Sequence, residues 1–346
     1  MDQEYTRRLL KIENELERWL PDSVNQSLAD EVFSDTGMKM NADAIQVMLD
    51  PLRDMISRGG KRWRPLLMTL VCEAFSGGDA SIPLSPLVEF CHNASLIHDD
   101  IEDESDQRRG KPSIHKIYGV DTAINSGAFL YFLSTCCINS CQIKEKEFIY
   151  KLWTVCMRKL HLGQSMDINW HRNISYVPSM DQYYTMSAMK TGGLARFAAE
   201  LGCIAANTPK ETVKLMGEAA EKMGVGFQIL DDVKNLTTGI PGKKRGDDIV
   251  EGKKSLPILM YMEKYPDKKE IVFYNFHVAK TDGITAPEVE EMIDVITASG
   301  VLKEAEEKGQ TLLKEVKNIF NQTEIAGCKT EEKGRSLLTG FIGLLD

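Results

Sequence analysis

An all-α fold is predicted by three features of the sequence. Apolar residues recur at spacings of three and four from the N-terminus onward, no period-two run lies between hairpin turns, and no repeat at fixed spacing indicates a solenoid. The 346 residues, 42% of them hydrophobic, can bury a large core. No long polar linker divides the chain, so a single large helical domain over residues 1–346 is expected.

The elements follow in order. YTRRLLKIENELERWL has helix period and is charged throughout; with no apolar stretch before a small-residue cleavage site, it does not read as a signal peptide. AIQVMLDPLRDMI comes next, then a break at SRGGK, then RPLLMTLVCEAF, whose Pro65 suits the first turn of a helix. SGGDASIPLSP separates this from LVEFCHNASLIHDDI, and RRGKPS and YGVD break the chain after it. Ala123 to Cys141 and Thr191 to Ala206 are apolar on nearly every face, the pattern of helices enclosed by other helices. Breaks at NISYVPSMD, NTPK, TTGIPGKKRGDD, KYPDKK and KTDGITAP leave room for roughly a dozen helices. Residues from about 265 to 346 alternate apolar positions with lysine and glutamate and read as outer helices of the same domain.

The net charge of −9 argues against a general nucleic-acid or anionic-membrane surface, which would need an excess of lysine and arginine. The longest apolar run, around GAFLYFLSTCCI, is too short to span a bilayer. Seven of the eight cysteines lie in apolar helical stretches without CxxC spacing and read as reduced, buried thiols, which favours the cytosol.

Five of the six residues from Asp99 to Glu104 are acidic. In a helix Asp99 and Asp103 share a face with Asp100 close beside them, and the apolar lead-in makes the acidic face grow out of a buried helix. A solvated helix end is the plain alternative. GFQILDDVKN repeats the pattern with Asp231, Asp232 and Asn235. Two such triplets suggest two helices facing across a cavity, each offering oxygen ligands to divalent metal with a polyanion between them. Asp247 and Asp248, in a Gly- and Lys-rich loop, fit a structural turn at least as well. SRGGKRWRP supplies Arg58, Lys61, Arg62 and Arg64 beside two glycines. Arg108, Arg109, Lys190 with Thr191, Lys243 and Lys253 add further phosphate donors. These cations exceed what one diphosphate needs, so two anionic groups are expected.

Taken together, GGKRWRP, HNASLIHDDIEDESDQRRGKPSIH, GQSMD, MKTGGLARFAAELG and GFQILDDVKNLTTGIPGKKRGDDIVEGKKSLPI resemble the trans-isoprenyl diphosphate synthases of the polyprenyl synthetase family, in order and spacing from about Gly59 to Pro257. The resemblance implies an isoprenoid-synthase fold, helices around a central cavity, and a homodimer. It implies condensation of isopentenyl diphosphate with an allylic diphosphate (dimethylallyl, geranyl or farnesyl) to a longer all-trans polyprenyl diphosphate. The course is ionisation, condensation and elimination, with three Mg2+ ions when substrate is bound. The released diphosphate takes the final proton, which accounts for the lack of any nucleophile beside a base. Position by position, it assigns Asp99, Asp100, Asp103, Asp231 and Asp232 to metal, with Asn235 as a further possible ligand. Lys61, Arg64, His92 and Arg109 are assigned to isopentenyl diphosphate, and Arg108, Lys190, Thr191, Gln228, Lys243 and Lys253 to the allylic diphosphate. Lys190 also counts among the catalytic residues with the aspartates.

Three positions depart from the family pattern. Asn235 stands where many members have a third aspartate, Ala128 where an aspartate is common, and Arg196 where many are apolar. Ala94 lies five residues before Asp99, about 7.5 Å deeper at helical rise, and Cys91 one turn further. Both are small, so a product of about twenty carbons or longer is expected, with Phe129, Tyr131 or Phe132 closing the floor. A terpene cyclase is the alternative enzyme class, but it usually carries an Asn, Ser, Glu metal motif and lacks a second diphosphate site. A non-catalytic subunit is the alternative outside catalysis, but such subunits typically lose an aspartate motif.

Overall fold

The computed structural model describes residues 3–33, 41–239 and 244–344. Eighteen α-helical segments lie among the described residues, more than the sequence suggests, because stretches that read as continuous break into consecutive helices. Ala123 to Cys141 is one example, divided into Val120–Leu133 and Cys136–Ser140. The strands described form two antiparallel hairpins of two residues per strand, Gln107–Arg108 with Lys111–Pro112 and Glu324–Ile325 with Cys328–Lys329. Both are too short for a period-two pattern to register in the sequence, and the fold is all-α.

The contacts divide the chain into two compact units. One comprises the residues up to Trp153 with Phe197–Met216 and Thr323–Leu338; the other comprises Thr154–Arg196, Gly217–Gln322 and the residues from Thr339.

In the first unit, the Gln3–Trp19 helix buries Tyr5, Arg8, Ile12, Leu16 and Trp19, the stripe its spacing predicts. Ala42–Ser57 is capped by the Asn41 side chain, which accepts from the backbone N–H groups of Asp43 and Ala44. Trp63–Ala74 is buried along almost its whole length, as is the Ser85–Glu102 helix as far as Ile97. The Ser85–Glu102 helix packs against Trp63–Ala74 and Val120–Leu133. Val120–Leu133 buries Ala123, Gly127, Leu130 and Leu133 but is not enclosed as its sequence suggests. Val120, Ile124 and Phe132, with Ile117 of the preceding turn, face outward, and Phe132 is 65% exposed.

In the second unit, an apolar core gathers around Leu256–Lys264 and takes in Trp170, Tyr183, Ile229, Phe276, Met292 and Val301. The Val301–Phe320 helix buries Val301, Leu302, Ala305, Leu313, Val316 and Phe320 on one side, the outer-helix pattern expected of the C-terminal region. Between Met180–Ser187 and Gly193–Ala205 the chain makes a π-helical turn over Ala188–Gly192. A Cβ at Gly224 would stand 2.6 Å from Gly192 Cα, so glycine at both positions lets the Lys210–Thr237 helix come backbone to backbone with this turn. Such π-turns often mark functional positions, and this one carries Lys190 and Thr191.

Candidate functional site

The Ser85–Glu102 helix ends where its acidic residues begin to fan out. Successive helical residues turn by about 100°, so Asp99 and Asp103 stay near one line while Asp100 swings to the side. Asp99 and Asp103 are partly exposed; Asp100 is fully buried. The bare carboxylate inside would be costly, and Arg108 answers it. Arg108 Nε donates to Asp100 Oδ1 at 2.9 Å and its Nη2 donates to the same oxygen, while Nη2 lies 3.9 Å from Asp99 Oδ2. Burial raises the Asp100 pKa, with Arg108 opposing. Asp100 Oδ2 is buried without a hydrogen-bond partner among the described residues. Arg108, expected on a diphosphate, is thus bound to the aspartate motif itself.

Arg109 and Gly110 follow with φ of 54° and 75°, so both central residues of the hairpin turn are left-handed, the type I′ arrangement. Arg109 Nη1 donates to the Met55 carbonyl at 3.3 Å, and its guanidinium passes so near Gly60 that an added Cβ there would stand 3.0 Å from Nη2. Burial pulls its pKa down to about 10, opposed by Glu89 and helped by Arg62, Arg108 and Arg58. It remains a cation at neutral pH. His92 is half-buried, and burial together with Arg64, Arg109, Arg108 and Arg62 holds its pKa well below the usual histidine value. A neutral imidazole with one N–H to donate follows. Arg64 lies over the Trp63 ring at 4.3 Å, and Lys61 is exposed.

The other two arginines of SRGGKRWRP serve the fold. Arg62, at φ 46° before the Trp63–Ala74 helix, donates to Glu13 at 2.8 Å, to the buried Glu89 at 2.9 Å and to the Ile56 carbonyl at 2.6 Å. Arg58 forks onto Asp54 at 3.0 and 2.8 Å and donates to the carbonyls of Arg108 and Pro112 at 3.3 and 2.9 Å. Both residues count as ligand donors in the sequence; the Asp54 partner of Arg58 is local at i,i+4 spacing, whereas Glu13, Glu89 and the hairpin carbonyls lie too far along the chain for spacing to reveal them.

In the second unit the two aspartates of GFQILDDVKN also divide. Asp231 is exposed and Asp232 buried. Asp232 Oδ2 accepts from the Tyr183 hydroxyl at 2.7 Å and the Leu256 N–H at 2.9 Å; Oδ1 accepts from Gln228 Nε2 at 2.9 Å. Gln228 Oε1 in turn accepts from Thr191 Oγ1 at 2.7 Å. Burial, with Asp248 adding like charge, pushes the Asp232 pKa up to about 7. Asp232, Gln228 and Thr191 are therefore linked in one hydrogen-bond network.

Lys190 donates to Asp167 at 2.6 Å, and Lys253 pairs with Glu251. Asn235, expected as a further possible metal ligand, is buried, and its side-chain oxygen accepts from the Asp248 N–H at 3.3 Å at the start of the Asp247–Glu251 helix. Asp247 accepts from the Lys244 N–H at 2.6 Å, the turn role considered for it. Arg196, charged where many family members are apolar, pairs with Glu221 at 3.4 Å. Lys243 lies outside the described residues.

Ala94 and Cys91 are fully buried on the Ser85–Glu102 helix. Phe129, one of the aromatics expected to close the floor, stacks on Phe33 at 5.9 Å and lines an apolar pocket with Leu28, Ile45 and Leu49. Cys91 is met by Trp153, whose Nε1 donates to Sγ at 3.3 Å, and by Ser134, whose Oγ is 3.3 Å from it. Sequence spacing did not single out Trp153, because an indole in an apolar helix reads as core.

No group of three or more His, Cys, Asp or Glu side chains is preassembled around a metal position among the described residues. The donor set nevertheless fits magnesium, which uses one or two carboxylates and fills its remaining positions with phosphate oxygens and water. Asp99 and Asp103 provide that much on one helix face.

Residues 45–293 match the polyprenyl synthetase family. The chain is 31% identical over 271 residues to the short chain isoprenyl diphosphate synthase of Methanocaldococcus jannaschii, covering 77% of this chain and 81% of that one. It is 30% identical over 288 residues to the geranylfarnesyl diphosphate synthase of Aeropyrum pernix, covering 80% and 88%. Its fold is similar to the crystal structure of geranylgeranyl pyrophosphate synthetase from Pyrococcus horikoshii Ot3, with a TM-score of 0.81, 25% identity, and 99% and 97% of the two chains covered. It is also similar to a polyprenyl synthase from Caulobacter crescentus CB15 complexed with calcium and isoprenyl diphosphate, at a TM-score of 0.75 and 22% identity over 99% and 97%. The motifs, the all-α fold and the match over most of the chain agree: this chain belongs to the polyprenyl synthetase family.

Proposed function

We propose that the chain is a trans-prenyltransferase that joins isopentenyl diphosphate to an allylic diphosphate and releases an all-trans polyprenyl diphosphate of about twenty carbons or longer. The observation that carries this reading is in the first unit. A carboxylate pair, Asp99 in the last turn and Asp103 at the C-cap, ends the helix that also holds His92, whose pKa burial, Arg64 and Arg109 hold well below the usual histidine value. Metal-held and side-chain-held diphosphates are thereby both provided for, which favours a two-substrate transferase over a cyclase. Relatives that match are named a short chain isoprenyl diphosphate synthase and a geranylfarnesyl diphosphate synthase, which supports the reading.

In this reading Asp99, Asp103 and Asp231 hold Mg2+, which when bound neutralises the charge developing on the departing diphosphate. Asp100 and Asp232 orient their neighbours: Asp100 fixes Arg108, and Asp232 fixes Gln228 and, through it, Thr191. Lys61, Arg64, Arg109 and His92 bind isopentenyl diphosphate, with His92 donating a neutral hydrogen bond. Lys190, Lys253 and Lys243 contact the allylic diphosphate. Apolar walls exclude water from the allylic cation, and the freed diphosphate takes the proton.

The family match crosses both compact units, which supports one functional domain. The outward stripe of Ile117, Val120, Ile124 and Phe132 supports a homodimer, since apolar patches of this kind mark protein contacts. No described helix is long and apolar enough to cross a membrane, and the eight cysteines, none of them in a disulfide among the described residues, support a reducing compartment such as the cytosol.

The test is incubation of the purified protein with isopentenyl diphosphate, magnesium and dimethylallyl, geranyl or farnesyl diphosphate, followed by dephosphorylation and separation of the alcohols by length. All-trans products of twenty or more carbons are expected. A cyclic hydrocarbon formed without isopentenyl diphosphate, or no consumption of it with any starter, would overturn the reading.

A further inference from the structure

A hairpin with two residues per strand has little cross-strand pairing to hold it, and its turn places Arg109 in the left-handed region that L-residues avoid. Such a conformation persists only where the surroundings impose it. The imposing group is Arg58. Its side chain is wholly shielded from solvent, and its Nη1 donates to one carbonyl on each strand, Arg108 and Pro112. Nε and Nη2 are fixed by the fork onto Asp54, which Lys111 of the same hairpin also approaches, at 3.8 Å. The arrangement is reciprocal. Arg109 reaches back from the hairpin to the Met55 carbonyl, one residue from Asp54, and lies against Gly60.

We propose that Arg58, set by Asp54, is a positioning residue for diphosphate capture: it clasps both strands of the Gln107–Pro112 hairpin and fixes the place of the Arg109 guanidinium. The proposal rests on the reading that Arg109 binds isopentenyl diphosphate. Lysine cannot replace Arg58, because one ammonium cannot fork onto a carboxylate and reach two carbonyls at once.

Steady-state kinetics and calorimetric binding of isopentenyl diphosphate test this on wild type, Arg58→Lys, Asp54→Asn, Arg109→Gln and the Arg58→Lys/Arg109→Gln double variant. Arg58→Lys is expected to raise KM and Kd for isopentenyl diphosphate about tenfold, with kcat within about twofold and product length unchanged. Asp54→Asn moves the same way by less, and it supplies the readout should Arg58→Lys fail to fold. In the Arg109→Gln background, Arg58→Lys adds less than about twofold, because two residues that act through one contact are not additive. A KM and Kd within twofold of wild type, or an Arg58→Lys effect that persists in full without Arg109, would make Arg58 a plain structural brace and overturn the proposal. A wild type that binds isopentenyl diphosphate but does not turn it over would sink the prenyltransferase reading and leave the binding arm to decide the clasp.

Discussion

Arg108 joins two neighbouring carboxylates of unlike exposure: it donates to buried Asp100 at 2.9 Å and stands 3.9 Å from Asp99. Removing the two kinds of aspartate should therefore have different effects. Asp99→Asn and Asp103→Asn are expected to lower kcat by about a hundredfold or more and raise the magnesium requirement, with melting temperature little changed. Asp100→Asn removes the nearer of the two carboxylates that Arg108 joins and the one that is buried, so stability should fall by about 2–4 kcal/mol, with a smaller loss of turnover. Magnesium titrations of initial rate and thermal melts of the three variants separate these effects.

On the proposed reading, the residues below the aspartates limit how far a prenyl tail can grow. Ala94→Phe is expected to shorten the main product by at least one five-carbon unit. Trp153→Ala, which removes the indole behind Cys91, should lengthen it, and Trp153→Phe should leave it near wild type. Chromatography of the dephosphorylated alcohols reads all three. An unchanged length in both Ala94→Phe and Trp153→Ala would place the tail elsewhere.

Arg62 supports the fold from inside. Its guanidinium is the buried partner of Glu89, which is 2% exposed, and Arg62→Met would strand that carboxylate. The expected loss is about 3–5 kcal/mol in denaturant unfolding, the usual consequence of removing one member of a buried ion pair.

Lys254 carries a pH signature. It is 3% exposed, lies over the Phe276 ring at 4.3 Å, and burial with help from Lys280 lowers its pKa to about 8. A base whose folded pKa is depressed binds fewer protons folded than unfolded between about pH 8 and its ordinary value of 10.5. Its unfavourable contribution is therefore full below pH 8 and disappears as pH rises toward 10.5. Lys254→Met should stabilise the protein at pH 7 by about 1–3 kcal/mol, less the lost ring contact, and the gain should vanish by about pH 10. Urea unfolding at the two pH values checks the sign.

What the sequence disclosed follows from which interactions are local. Asp99 and Asp103 are legible because spacing of four along a helix fixes a common face whatever surrounds it. The inward turn of Asp100 follows from the same geometry, but its pairing with Arg108 depends on a hairpin too short to leave a pattern. Asn235 has the spacing of a ligand, but its hydrogen bond from the Asp248 backbone, thirteen residues on, cannot be read from that spacing. Phe129 was placed by proximity in sequence to the aspartate helix, whereas Phe33, far earlier in the chain, decides where its ring lies. Helix class and motif order were readable; the partners that divide binding residues from bracing ones were tertiary.

The two-residue turn of Arg109 and Gly110 has a last consequence, for how this segment can change. Its type I′ geometry matches the twist of the flanking strands only at that loop length. Adding or deleting one residue would select another turn, shift the pairing of Gln107 with Pro112, and carry the Arg109 side chain away from Gly60. The exposed positions Gln107 and Lys111 can drift by replacement, but the segment between them cannot change in length.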